Sequence, residues 1–180
     1  MSTRGTNHPG PVIWLTGLSG AGKSTVATEL IRQLQGMGRH PVLLDGDQMR
    51  EVLGATAAYD SDARRALGLT YARMCRLLSQ QGHTVVCATI SLRHEIHTWN
   101  RSHLPNYVEV LLDVPLHELR HRDPKGIYAA PRGHAQTVGM GIDAQFPLQP
   151  DLVITNHGAT SPTTSAAQIL DLCASKGVWT

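Results

Sequence analysis

The chain has 180 residues, of which 41% are hydrophobic and 17% charged, a balance that excludes a disordered polymer and suits one domain around one core. A net charge of +2 excludes a broad basic footprint for nucleic acid or membrane, so any anion site must be local. No apolar run reaches the ~18 residues of a membrane span. The three cysteines, Cys75, Cys87 and Cys173, are scattered and odd in number, which fits buried thiols in a reducing cytoplasm better than a disulfide frame or a metal knuckle.

Met1 to Pro11 is polar, carries Gly and Pro, and reads as a flexible arm without a signal-peptide core. Val12 to Thr16 predicts the first strand, and about Gly22 to Met37 the first helix. Pro41 to Leu44 predicts a strand, followed by a short helix near Gln48 to Leu53 and a long helical pattern from Asp62 to Gln81. Thr84 to Ile90 is a continuous apolar strand, Leu92 to His103 is helical, and Tyr107 to Val114 is again a strand. Leu116 to Arg122 predicts a short helix, Asp151 to Thr155 the last strand, and Thr163 to Lys176 the closing helix. Alternating strands and helices, with nearly all-apolar strands, predict a five-stranded parallel sheet covered on both faces, a three-layer α/β/α domain over residues 12–180. Residues 123–150 have little periodicity and much Gly and Pro, and so long a loop reads as a lid.

Two constellations carry chemistry. Gly17-Leu18-Ser19-Gly20-Ala21-Gly22-Lys23-Ser24-Thr25 fits G-x-x-x-x-G-K-[ST], with a strand before it and a helix after it. The glycines let successive N–H groups point into one concavity, and the helix N-terminus adds positive potential. Lys23 is placed for the β- and γ-phosphates of ATP, and Ser24 for Mg²⁺. Asp45-Gly46-Asp47 and Arg50 sit at the end of the second strand, facing the crevice outside the carboxyl ends of the strands where ligands bind in open α/β sheets. One carboxylate there can accept the proton of an attacking hydroxyl, the other can position metal-bound water, and Arg50 can hold an anionic group. The plainer reading of the same segment is an Asp-Gly turn with a helix-capping Asp.

Other motifs lead elsewhere. His117-Glu118-Leu119-Arg120-His121 spells H-E-x-x-H, the pattern of a zinc peptidase, but no third ligand stands at a suitable spacing and the helix is short. His94-Glu95-Ile96-His97 has the wrong spacing for such a site, and Asn100-Arg101-Ser102 is a glycosylation triplet by letters only. A nucleotide-binding regulatory module without turnover is a further alternative, and the full phosphate loop with Asp47 and Lys125 argues against it.

The segments GLSGAGKST, LDGDQMR, RDPKGIY and GID, in this order and spacing, resemble the adenylyl-sulfate kinase family from Val12 to about Asn156. The resemblance implies transfer of the ATP γ-phosphate to the ribose 3′-hydroxyl of adenosine 5′-phosphosulfate (APS), and a homodimer. It implies Asp47 as the base, with Asp45 helping the Mg²⁺ shell through water. Acceptor contacts would come from Arg50, Tyr59, Arg64, Ile90, Ser91, Lys125 and Gly126, with Lys125 reaching in from the lid and Arg132 lying near ATP.

The departures from the family pattern fall on the acceptor side. A family Asn is Leu67, a later Arg is Leu69, and I-S-P-Y becomes Ile90-Ser91-Leu92-Arg93. Tyr128 and Asp143 keep the lid register, which puts Gly139 at a Phe that helps sandwich the adenine and Thr137 at a Lys. Gly139 is thus expected to leave one face of the acceptor base open, and Gly139→Phe to rebuild the sandwich. A branch of the family phosphorylates cytidine diphosphoramidate in capsule-sugar modification, and Cys87 to Arg101 resembles that branch. APS is the leading acceptor on this reading, with the cytidine nucleotide as the alternative.

Overall fold

The computed structural model describes residues 8–55, 60–123, 126–128 and 137–179. Five strands, β1 (Val12–Thr16), β2 (Val42–Asp45), β3 (Val85–Ala88), β4 (Tyr107–Asp113) and β5 (Leu152–Thr155), form one sheet in the order β2-β3-β1-β4-β5. All four pairings are parallel, with Ile13 in register with both Val86 and Val108. Helices α1 (Lys23–Gly36), α2 (Gly46–Val52), α3 (Ser61–Gln80), α4 (His94–His103), α5 (Leu116–Arg122) and α6 (Pro162–Ser175) alternate with the strands.

The strand period of two divides the core into two layers. Ile13, Leu15, Val86 and Val110 pack against Val26 and Leu30 of α1 and Ile169 of α6. Val12, Trp14, Val85 and Cys87 face the other way, toward Leu67, Tyr71 and Cys75 of α3 and Ile96 of α4. This is the expected three-layer α/β/α arrangement. All three cysteines are buried free thiols, and burial with the neighbouring Cys75 pushes the Cys87 thiol up.

Element boundaries shift where side chains cap helices. Helix α2 begins at Gly46 rather than Gln48, because the Asp45 carboxylate accepts from the N–H groups of Asp47 (3.0 Å) and Gln48 (3.4 Å). Asp60 does the same for α3, accepting from Ala63 N at 2.8 Å. The strand predicted to Ile90 ends at Ala88. The expected loose arm is also shorter, since Gly10 N donates to Ser79 O at 2.9 Å and Ser79 Oγ donates back to Gly10 O at 2.5 Å. Val85 N donates to Pro11 O at 2.9 Å, so residues 10–11 are tied to the end of α3 and the start of β3. Met1 and the rest of residues 1–7 lie outside the described residues.

On the outer part of α4 and β4 sits a buried polar cluster. His97 Nδ1 donates to Glu109 Oε1 at 2.7 Å and Tyr107 OH to the same oxygen at 2.8 Å. Arg101 bridges Glu109 and Asp151, both at 3.1 Å. Burial pushes the Glu109 carboxyl up, but the His97 hydrogen bond and the other donors win and hold it below the usual carboxylate range.

Candidate active site

A cavity of about 400 Å³ lies outside the carboxyl ends of β1, β2 and β3, the place the strand order predicts for a ligand. Its wall includes Ser19, Gly20, Gly22, Lys23, Ser24 and Thr25 of the phosphate loop, with Asp45, Asp47 and Arg50 after β2. Arg64 from α3 and Ile90 and Ser91 after β3 complete the expected set that meets there. Gly17, Leu18 and Ala21 belong to the loop but do not line the cavity. Ala21 is wholly buried behind it. Gly126 is exposed in a turn (φ +62) and is not part of the cavity wall. Tyr59, Lys125 and Arg132 lie outside the described residues.

The loop is shaped by its own backbone and by distant braces. Gly22 has φ +89, and a Cβ there would stand 2.7 Å from Asn156 Nδ2, so only glycine fits. Lys23 Nζ donates to Gly17 O at 2.9 Å and Leu18 O at 2.7 Å, which curls its ammonium over the loop. Ser24 Oγ donates to Asp45 Oδ2 at 2.5 Å. The pair is a hydroxyl and a largely buried carboxylate, a hard oxygen set at the α1 N-terminus, and it fits Mg²⁺. Asp45 thus both caps α2 and faces Ser24, so the turn-and-cap reading and the metal-shell reading share one side chain. Asp47 is exposed and borders the cavity one turn from Arg50.

Two of the lining residues, Tyr71 and Gly68, stood in no motif that the sequence singled out. Tyr71 donates to Gly46 O at 3.2 Å, and burial pushes its phenol up. Arg50 Nε beside it is buried without a hydrogen-bond partner among the described residues. Gly68 lets α3 approach α4, where a Cβ would meet Ile96 Cδ1 at 2.3 Å. Arg93 holds Ser61 O at 2.9 Å and its Oγ at 2.5 Å, and Arg122 holds Glu118 at 3.1 Å and Asn156 O at 3.0 Å. Lys23, Arg50, Arg64, Arg93 and Arg122 against Asp45, Asp47 and Asp143 give the lining a net positive balance, the local anion site that a chain of small net charge requires.

The two leucine departures separate here. Leu67 is buried and lines the cavity, so apolar surface stands where the family has an amide. Leu69 packs into the α3 core and does not reach the site. The expectation for Gly139 is overturned. Its φ is +88, and a Cβ there would stand 2.6 Å from Leu18 Cδ2 of the phosphate loop. Position 139 therefore faces the donor loop, and a ring there would strike Leu18 before it could stack on a base. Its neighbours Val138 and Ile142 line the cavity, held by the N–H groups of 140, 141 and 142 donating to Thr137 O at 3.1 Å. In the H-E-x-x-H helix, His117 and His121 are exposed and Glu118 is bonded to Arg122.

The family model for adenylylsulphate kinase matches residues 9–155. A cytidine diphosphoramidate kinase of Campylobacter jejuni is 39% identical over 146 residues, 81% of this chain and 85% of that protein. An adenylyl-sulfate kinase of Burkholderia ambifaria is 37% identical over 164 residues, 88% of this chain and 90% of that protein. Among solved structures, an APS kinase of Mycobacterium tuberculosis in complex with AMPPNP and APS superposes with a TM-score of 0.81 at 33% identity, covering 92% of this chain and 98% of that one. The chain belongs to the adenylylsulphate kinase family and is a phosphotransferase of the P-loop kinase fold.

Proposed function

We propose that this enzyme transfers the γ-phosphate of ATP to the ribose 3′-hydroxyl of adenosine 5′-phosphosulfate. One observation carries the reading: a single cavity is lined both by Lys23, Ser24, Asp45 and Asp47 and by Arg50 and Arg64. Donor and acceptor groups thus share one space, as in-line transfer requires. Asp47 accepts the proton of the 3′-hydroxyl, its oxygen bonds to the γ-phosphorus, and ADP leaves. Lys23 turns from its loop carbonyls to the β- and γ-phosphates. Ser24 and Asp45 would hold Mg²⁺, which supplies charge neutralisation on the phosphates. Arg50 and Arg64 hold the anionic 5′ end, and the unpartnered Arg50 Nε supports that role. Lys125, Tyr59 and Arg132 keep their assigned roles on the family resemblance. The three buried free thiols support a cytoplasmic protein, and the resemblance supports a homodimer.

A second acceptor, cytidine diphosphoramidate, is favoured by Leu67. Its side chain replaces an amide at the cavity wall, and the 39% identical relative is named for that acceptor. The test is a coupled ADP-release assay with both acceptors. The APS reading gives a ratio of kcat/KM, APS over cytidine nucleotide, well above one. A ratio well below one assigns the cytidine acceptor instead.

A further inference from the structure

Two side chains outside the phosphate-loop motif hold its backbone from behind. Tyr128 OH donates to Ser19 O at 2.8 Å, across 109 residues of sequence. Asn156 Nδ2 donates to Ala21 O at 2.8 Å, across 135 residues. Both side chains are buried. A trans peptide sets each C=O opposite the following N–H, and no cis bond occurs among the described residues. Fixing Ser19 O therefore turns the Gly20 N–H away from Tyr128, and fixing Ala21 O turns the Gly22 N–H away from Asn156. Ser19, Gly20 and Gly22 of these peptides line the cavity, whereas Ala21 does not.

We propose that Tyr128 and Asn156 are positioning residues for the ATP phosphates, clamping alternate peptides of the loop so that the N–H groups of Gly20 and Gly22 stay aimed into the cavity. The need for a clamp comes from the sequence. Gly20 (φ +76) and Gly22 (φ +89) occupy conformations that glycine leaves easily, so nothing local prevents a peptide flip. Each clamp is itself fixed. Asp123 accepts from Ile127 N at 2.7 Å and Tyr128 N at 3.1 Å, closing the turn that presents the phenol. Ser165 Oγ donates to Asn156 Oδ1 at 2.9 Å, which sets the amide so that its nitrogen faces Ala21. Tyr128 is the last residue of the RDPKGIY stretch, so the end of that stretch is fastened to the donor loop.

This proposal rests on the kinase reading, and its test keeps the two apart. Tyr128→Phe keeps the ring and removes one hydrogen bond, whose net worth of roughly 1 kcal/mol corresponds to about a five- to tenfold change. The Kd for AMPPNP with Mg²⁺, measured by calorimetry, and the KM for ATP both rise by that factor. The acceptor KM stays within about twofold, since no phosphate-loop N–H serves the acceptor. Ser165→Ala, which only frees the Asn156 amide, moves Kd and KM for the donor in the same direction by less. Wild-type AMPPNP affinity and ATP KM in folded Tyr128→Phe overturn the clamp. Equal rises in both KM values, with a collapsed Tm, overturn it too, because they mark a merely structural tyrosine. If the wild-type protein binds no AMPPNP, the kinase reading falls, and the clamp with it.

Discussion

Gly139→Ala puts the placement of residue 139 to a quantitative test. A left-handed backbone costs a non-glycine residue roughly 1–2 kcal/mol. For a chain of this length each kcal/mol lowers Tm by about 2–4 °C, so a fall of about 2–8 °C is expected. The new methyl also stands 2.6 Å from Leu18 Cδ2 and 3.1 Å from Leu18 Cδ1. The Leu18 side chain must repack, next to the carbonyl that Lys23 contacts at 2.7 Å. The KM for ATP therefore rises a few-fold while the acceptor KM hardly changes. Gly139→Phe amplifies both effects. Thermal melting followed by steady-state kinetics with each substrate varied in turn makes the measurement. Unchanged Tm in Gly139→Ala, or acceptor binding improved in Gly139→Phe by the ~1–3 kcal/mol of an aromatic stack, would refute the placement of residue 139 against the donor loop.

Three further perturbations follow from the site and the core. Lys23→Ala abolishes acceptor-dependent ADP release while circular dichroism stays native, because Lys23 contacts loop carbonyls and supports no apolar packing; normal turnover would remove the loop from the reaction. Asp47→Asn lowers kcat by ~10²–10⁴ with ATP affinity nearly unchanged, the range expected for a lost general base; a kcat within a few-fold of wild type makes Asp47 structural. Glu109→Gln breaks the buried cluster with His97 and Arg101 and costs on the order of 3–5 kcal/mol at neutral pH, read from denaturant melts. The pH dependence has a definite sign. The Glu109 carboxyl is depressed in the folded state, so its stabilisation is complete above the ordinary glutamate value of ~4.3 and fades as pH falls through the lower folded value. The destabilisation by Glu109→Gln should shrink in that acid window, and a constant difference across it would contradict the assignment.

The individual strands, the phosphate loop and the Asp45–Asp47 pair were legible because each is a local pattern, whereas the strand order came from the fold. A β-branched run, a glycine spacing and an Asp-Gly turn act over a few residues, and β1, the 17–25 loop and α2 all formed within two residues of expectation. What escaped was long-range or conformational. Tyr128 and Asn156 meet the loop across more than a hundred residues, and no spacing rule connects them. Leu67 and Leu69 look alike as letters and both pack in the core, yet only Leu67 also reaches the cavity wall. Gly139 shows the limit of alignment by register. The residue aligns with an aromatic position, but its positive φ turns the Cβ direction toward Leu18. Arg93 was visible as a departure, while its grip on the start of α3 needed the fold.

The most direct test of the account is the fate of the phosphate. Incubation with ATP, Mg²⁺ and APS, followed by ³¹P NMR of the isolated product, should show a new phosphomonoester coupled to the ribose 3′ proton. One ADP should appear for each such product, with no ADP formed when the acceptor is omitted. ATP hydrolysis without a phosphorylated nucleotide, or phosphate found on any oxygen other than the ribose 3′, would contradict the account.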